Sequence, residues 1–319
     1  MSGIADPIAL LLVSFKAVIP AFGWIVVGMV CRRLIVASLV IFKRGEKFVF
    51  YLGMPIVLCL SASQLDFSGL RASSYLLAGT LAFCLVVVAS YLHARWRGYS
   101  LEHRGVVSQS AYRGNLAIIG LALCASAFGQ KGLVTAAMPI AIWTLLFNVI
   151  AVILLGYTHG GHTSPIVVLK GLARNPLIVG IAVGAALSIG GVPVPESVYD
   201  VGRIFTAAVI PFALVCLGGS ISLRAAKDSR QELIDASLWR LVVAPVVVIL
   251  ICVAFGVRGT ELGVTFLLLG GPAAVACHVM VAAVGGNQRL AANIVMVTTL
   301  LAPFSLSIGL FVLNYFSLI

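Results

Sequence analysis

Ten apolar runs, joined by connections too short to fold alone, leave this chain few architectures to choose from. The runs are 8–31, 48–63, 74–94, 106–128, 132–157, 175–190, 199–223, 237–257, 260–284 and 290–316. A helix needs about 20 mostly apolar residues to cross the hydrocarbon core, so the expectation is an all-α polytopic membrane protein with ten transmembrane helices. The second and sixth runs are short for full spans. The run 34–42, lying between basic clusters, reads as an interfacial connector rather than an eleventh span. The first run lacks a preceding cationic segment and continues past any small-residue cleavage site to Arg32 and Arg33. That makes it a membrane helix rather than a signal peptide, with Lys16 placed to snorkel to an interface.

Charge is scarce and concentrated in the connections. Only 10% of residues are charged and 61% are hydrophobic, against about 25% charged in a soluble domain. The net charge of +11 comes from cations flanking apolar runs, which argues against a nucleic-acid partner. Arg32, Arg33, Lys43, Arg44, Lys47, Arg95, Arg97, Arg104, Lys170, Arg174, Arg224, Lys227, Arg230 and Arg289 follow odd-numbered spans, and Arg240 adds to them near the start of span 8. Arg71, Lys131, Arg203 and Arg258 border the even connections. The positive-inside rule then places the odd loops in the cytoplasm and both termini outside. The seven cysteines form no CxxC pair and read as small packing residues, and the histidine pair His159 and His162 is too isolated for a metal site.

The two halves of the chain repeat at an offset of 156 residues: Pro20 and Gly28 match Pro176 and Gly184, Pro55 matches Pro211, and Gly114–Asn115 falls on Gly270–Gly271. Residues 1–157 and 158–319 would each hold five helices. An odd number inverts the second copy, giving a 5+5 inverted repeat. Chance similarity among Pro- and Gly-containing helices is the alternative. Inverted repeats with interrupted helices at matching positions mark secondary transporters, whose substrate binds near the midplane.

Within the fourth run stands Arg113, in the stretch SQSAYRGNLAIIG. Inserting a guanidinium costs roughly 2.5–3.5 kcal/mol on translocon scales, so its presence asks for a partner. An arginine fork beside amide and hydroxyl groups suits a carboxylate or similar anion; the other reading is an arginine that ties two helices through backbone carbonyls. Gly114 permits a break, and Gly270, Gly271 and Pro272 permit the matching break in span 9. Asn115 joins Arg113 as a direct contact, with Gln109 and Tyr112 as further lining, and Ser61 and Ser63 (with Ser220 in the related span 7) as weaker candidates. His278 is either a proton-coupling group or a neutral histidine at a helix interface. All ten Asp and Glu fall in or beside connections, which fits an anion site better than a carboxylate-based cation site.

FYLGMPIVLCLSA in span 2, AYRGNLAIIGLAL with AFG in span 4, and GGPAAVACHVMVAAVGGN in span 9 resemble the auxin efflux carrier family of bacterial permeases, especially its malonate-transporter-like members. The resemblance covers essentially the whole chain. It implies a bacterial inner-membrane permease with scaffold and transport domains that interleave helices of both halves, broken helices 4 and 9 that cross, and elevator-type motion of a homodimer. The implied cargo is a small mono- or dicarboxylate such as malonate or malate; no cofactor or metal is implied, and the coupling ion is H+ or Na+. Family members often carry proline where this chain has Ala122, so the span 4 break would rest on Gly114, Asn115 and Gly120. A sodium-coupled bile-acid-type symporter is the alternative transporter, and a membrane-embedded enzyme the alternative class; neither DxxxD nor HExxH occurs.

Overall fold

In the computed structural model, residues 7–34, 39–64, 74–160, 176–220 and 229–319 are described, and among them every long element is a helix. In chain order these are α1 (Pro7–Leu34), α2 (Leu39–Ala62), α3 (Ser74–Trp96), α4 (Leu101–Tyr112), α5 (Leu116–Thr158), α6 (Pro176–Ile189), α7 (Glu196–Ser220), α8 (Arg230–Ala254), α9 (Gly259–Gly270), α10 (Val275–Ala283) and α11 (Gln288–Tyr315). Seven of them are long and apolar enough to cross a bilayer (α1, α2, α3, α5, α7, α8 and α11), while α6 and α9 are shorter apolar helices. The protein is a multi-pass membrane protein: large apolar side chains such as Leu12, Ile153, Val201 and Phe304 lie exposed along its helices, where lipid rather than water is the favourable surrounding.

Three boundaries differ from those read in the sequence. The connector at 34–42 is, from Leu39 on, already the first turn of α2, which reaches 24 residues, long enough to span; residues 35–38 lie outside the described residues. Spans 4 and 5 are two helices that meet without a loop inside α5, at Gly129, whose φ of 57° and ψ of −141° leave helical geometry. Span 8 begins seven residues earlier than its apolar run, because the polar segment from Arg230 is helical too. Glu46 and Asp235 therefore stand inside helices, not beside them: Glu46 is half-buried in α2, and buried Asp235 accepts from Arg97 Nε at 2.8 Å and Tyr99 Oη at 2.6 Å.

Two close helix approaches stand one offset apart. A Cβ on Gly28 of α1 would run into the Val215 carbonyl of α7, and a Cβ on Gly184 of α6 would run into the Cys59 carbonyl of α2. Glycine is what lets these backbones touch in lipid, where packing rather than hydrophobicity holds helices together. The 156-residue offset carries Gly28 to Gly184 and Cys59 to Val215. Helices α1, α2, α6 and α7 pack together, α3, α4, α8 and α9 pack with α5, and α5 and α11 contact both sets, α11 chiefly through α1.

Short π-helical turns occur at Val49–Gly53, Leu116–Gly120 and Trp239–Val243. Such turns interrupt the regular carbonyl ladder and are frequent at functional positions. The second follows a helix break directly, and the third carries Arg240.

Candidate functional site

Two breaks lie against each other in the interior. The chain leaves α4 at Arg113, whose ψ of 94° is extended, and resumes helix at Leu116. It leaves α9 at Gly271, also extended, and resumes at Val275. Between them Gly114 and Ala273 form an antiparallel bridge. Asn115 N donates to Pro272 O at 3.0 Å, and Ala274 N donates to Arg113 O at 2.9 Å. Each break thus satisfies backbone groups of the other, as buried peptide groups without water must. No proline is needed in the span 4 break. The π turn closes it, with Gly120 N donating to Asn115 O at 2.8 Å while Ala122 sits inside the following helix.

Ser100 caps α4, its hydroxyl accepting from His103 N at 3.3 Å. Asn115 caps the helix after the break in the same way, Oδ1 accepting from Ile118 N at 3.4 Å. Its side-chain carbonyl is therefore engaged locally, which leaves the amide NH2 for a ligand. Gln109 is fully buried; Nε2 donates to Met280 Sδ at 3.7 Å, and its Oε1 has no partner. Tyr112 packs between Phe83 and Phe147, and its buried hydroxyl is likewise unpartnered.

Arg113 is 7% exposed. Its Nη1 donates to Phe147 O at 3.0 Å and its Nη2 to Asn148 Oδ1 at 2.6 Å, so α5 holds the fork in place. Two of the five guanidinium N–H donors are used, and the other three meet no acceptor among the described residues. Arg113 thus ties the end of α4 to α5 through one backbone carbonyl and one side-chain amide, and it retains donors.

The larger surprise is Arg240, read from the sequence as a topology charge at the edge of span 8. Because α8 starts at Arg230, Arg240 is deep in that helix and 0% exposed. Nε donates to Gly271 O, Nη1 to Tyr112 O at 2.8 Å and Ala111 O at 3.3 Å, and Nη2 to Leu269 O at 2.7 Å. These are the orphan carbonyls at the C-terminal ends of α4 and α9. Each helix end carries roughly half a negative charge, so a guanidinium between two such ends is well placed. The glycine at 114 follows from this: a Cβ there would overlap Nη2 of Arg240. The site consequently holds two cations, where the sequence pointed to one. Among the described residues, neither cation pairs with a carboxylate; the ion pairs are Arg97–Asp235, His103–Glu232, Arg203–Glu196 and Arg203–Asp200.

Other predicted residues sit apart from the breaks. His278 is half-buried on α10, its Nδ1 within 3.1 Å of Gln288 O. Ser63 donates to Leu60 O at 2.9 Å and lies 3.1 Å from Tyr199 Oη of α7, and Ser61 is buried two residues earlier, in α2. His159 bonds Thr158 and the Leu155 carbonyl at the end of α5, and His162 lies outside the described residues. Conversely, Thr298 of α11 was not singled out, yet its Oγ1 accepts from Ala273 N at 3.2 Å inside the break. Asn148 and Cys277, whose thiol points at Arg113 O, were missed as well. Arg240 could have been found by the insertion-cost argument applied to Arg113. The other three are ordinary residues in apolar helices and carry no such signal.

A cavity of about 390 Å³ opens between α1, α5 and α7, walled among others by Trp24, Ser126, Gln130, Arg203 and Pro211. None of the predicted site residues lines it; Ala122 and Ala125, just beyond the π turn, do. It lies at the junction of the two helix groups.

A family described as membrane transport protein matches residues 42–310. The chain is also similar to an uncharacterized transporter of Methanocaldococcus jannaschii, 26% identical over 269 residues that cover 81% of this chain and 85% of that protein. The matched span holds both breaks and both buried arginines, and the chain belongs to this membrane transport protein family, the auxin efflux carrier family.

Proposed function

We propose that this protein is a secondary active transporter of a small organic anion, a mono- or dicarboxylate such as malonate or malate. One observation carries the reading: two buried guanidinium groups stand at facing helix breaks, and no carboxylate among the described residues neutralises either. Arg240 spends its donors on backbone, cancelling the negative ends of α4 and α9. The positive ends of the helices that resume at Leu116 and Val275 are left to act with Arg113. An anion reaching Arg113 would meet three free N–H donors, with the Asn115 amide two residues away. A single good pair binds firmly enough to select and weakly enough to release.

The same reading gives the protein ten spans built as two inverted repeats, residues 1–157 and 158–319. The Gly28–Val215 and Gly184–Cys59 approaches, equivalent under the 156-residue offset, support it. Helices α1, α2, α6 and α7 would be the scaffold, through which a homodimer forms, and the remaining group would slide against it as an elevator, with the interface cavity marking the seam. Both termini would face outward from a bacterial inner membrane, as the charge asymmetry favours.

The test is uptake by proteoliposomes, with a panel of unlabelled mono- and dicarboxylates as competitors. Arg113→Ala should abolish carboxylate uptake while the purified protein keeps a sharp, monodisperse elution profile. Wild-type uptake by that variant would sink the assignment.

A further inference from the structure

The four carbonyls around Arg240 have the composition of a cation site. Ala111, Tyr112, Leu269 and Gly271 converge from two helix C-termini, with no side-chain oxygen among them and no access to solvent. In transporters with interrupted helices, unwound carbonyls and half-helix C-termini are the groups that coordinate a coupling metal cation. Here the place is filled from within, by the fork of a residue on a third helix, α8.

We propose that Arg240 is a tethered counter-cation occupying the position of a coupling alkali ion, so that the crossing of the breaks takes no Na+ or K+. Three features fix this assignment. The carbonyls are acceptors only, so the site takes donors alone, and the negative ends of two helices that meet there favour a charged donor over a neutral one. Gly114 lacks the Cβ that would displace Nη2, so the backbone is shaped around the guanidinium. Arg240 is itself displayed by the π turn Trp239–Val243, which breaks the regular phase of α8 at this residue. An arginine cannot leave and return during a transport cycle as an ion does. The cation contribution at this point is therefore constant, and any driving ion must act elsewhere. This last consequence rests on the transporter reading; the occupied cage does not.

The experiment is thermal unfolding of purified protein at constant ionic strength in choline, sodium, potassium and low-millimolar guanidinium chlorides, with no substrate present. A failure here leaves the carboxylate uptake assay untouched, so the two readings fall separately. Any rise that sodium or potassium produces over choline in wild type should be no larger than in Arg240→Ala, because the cage is already filled. Arg240→Ala should lose about 5 °C or more, and guanidinium should restore at least half of the loss in that variant alone. Should Arg240→Ala not fold, Arg240→Lys against Arg240→Met decides the matter, since Lys keeps the charge and Met the length; Lys should be the more stable. The proposal is overturned by a saturable sodium-dependent rise in the wild-type midpoint that Arg240→Ala loses, by an Arg240→Ala variant as stable as wild type or unresponsive to guanidinium, or by a Met variant that equals the Lys one.

Discussion

Replacing Gly114 by alanine tests whether the crossing of the broken helices is built around Arg240. The added methyl would overlap Nη2 of Arg240 and stand 3.2 Å from its Cζ and 3.0 Å from the Leu268 carbonyl oxygen. The fork cannot back away as a unit, because its other nitrogens are bonded to carbonyls on both helix ends. Losing the Nη2 bond to Leu269 costs roughly 1.5–3 kcal/mol for a charge-assisted bond, and losing the Nη1 bond to Tyr112 as well doubles that to about 3–6 kcal/mol. Against this, alanine narrows the unfolded ensemble relative to glycine by roughly 0.4–1 kcal/mol. A net destabilisation of about 1–5 kcal/mol follows. Equilibrium unfolding in mixed micelles measures it, best as a double-mutant cycle with Arg240→Ala. With the guanidinium gone, only the Leu268 carbonyl oxygen at 3.0 Å still crowds the methyl, and the cost should fall by at least about 1.5 kcal/mol. If Gly114→Ala costs the same in both backgrounds, the steric argument is wrong.

Further expectations concern the tether, the helix approaches and the polar rim. Asn148→Asp would give Arg113 a resident carboxylate that competes with substrate, so carboxylate uptake should drop at least about tenfold, corresponding to 1.4 kcal/mol; Asn148→Ala should be milder, and the reverse order would contradict an anion role for Arg113. Gly28→Val and Gly184→Val should each lower stability by roughly 1–3 kcal/mol through overpacking, whereas Gly23→Ala, with nothing within 4 Å of the new carbon, should stay within about 0.5 kcal/mol; equal midpoints for all three would refute the close approach. Burial, followed by the Asp235 carboxylate that accepts its hydroxyl, pushes Tyr99 up to about 12. The folded state then keeps a proton that the unfolded chain has lost, so stability should decline between about pH 10 and 12. Tyr99→Phe should flatten that decline, as read from unfolding midpoints across the range.

Much of this molecule could be read along the chain. Lipid demands long apolar helices, and the insertion cost of charge makes an arginine such as Arg113 conspicuous against them. Glycine and proline punctuate helices locally, so the breaks at Gly114 and at Gly270–Pro272 were visible and lie where expected, one against the other. The length of α2 and the start of α8 were not, because polar residues continue a helix beyond the membrane as readily as apolar ones do within it.

The sequence by itself determined the solvent, the helices, the places where two of them break and one of the buried charges. Only the tertiary structure decided what meets at those breaks. Arg240 is separated from Tyr112 by 128 residues and from Leu269 by 29, yet it binds both carbonyls. Asn148 and Thr298 hold Arg113 and Ala273 from two further helices. Backbone carbonyls carry no signature in the amino-acid sequence, so a side chain whose partners are all backbone looks like any other charge until the helices are packed. Depth hides it as well: α8 begins at Arg230, so Arg240 lies well inside that helix, where α4 and α9 pack over it.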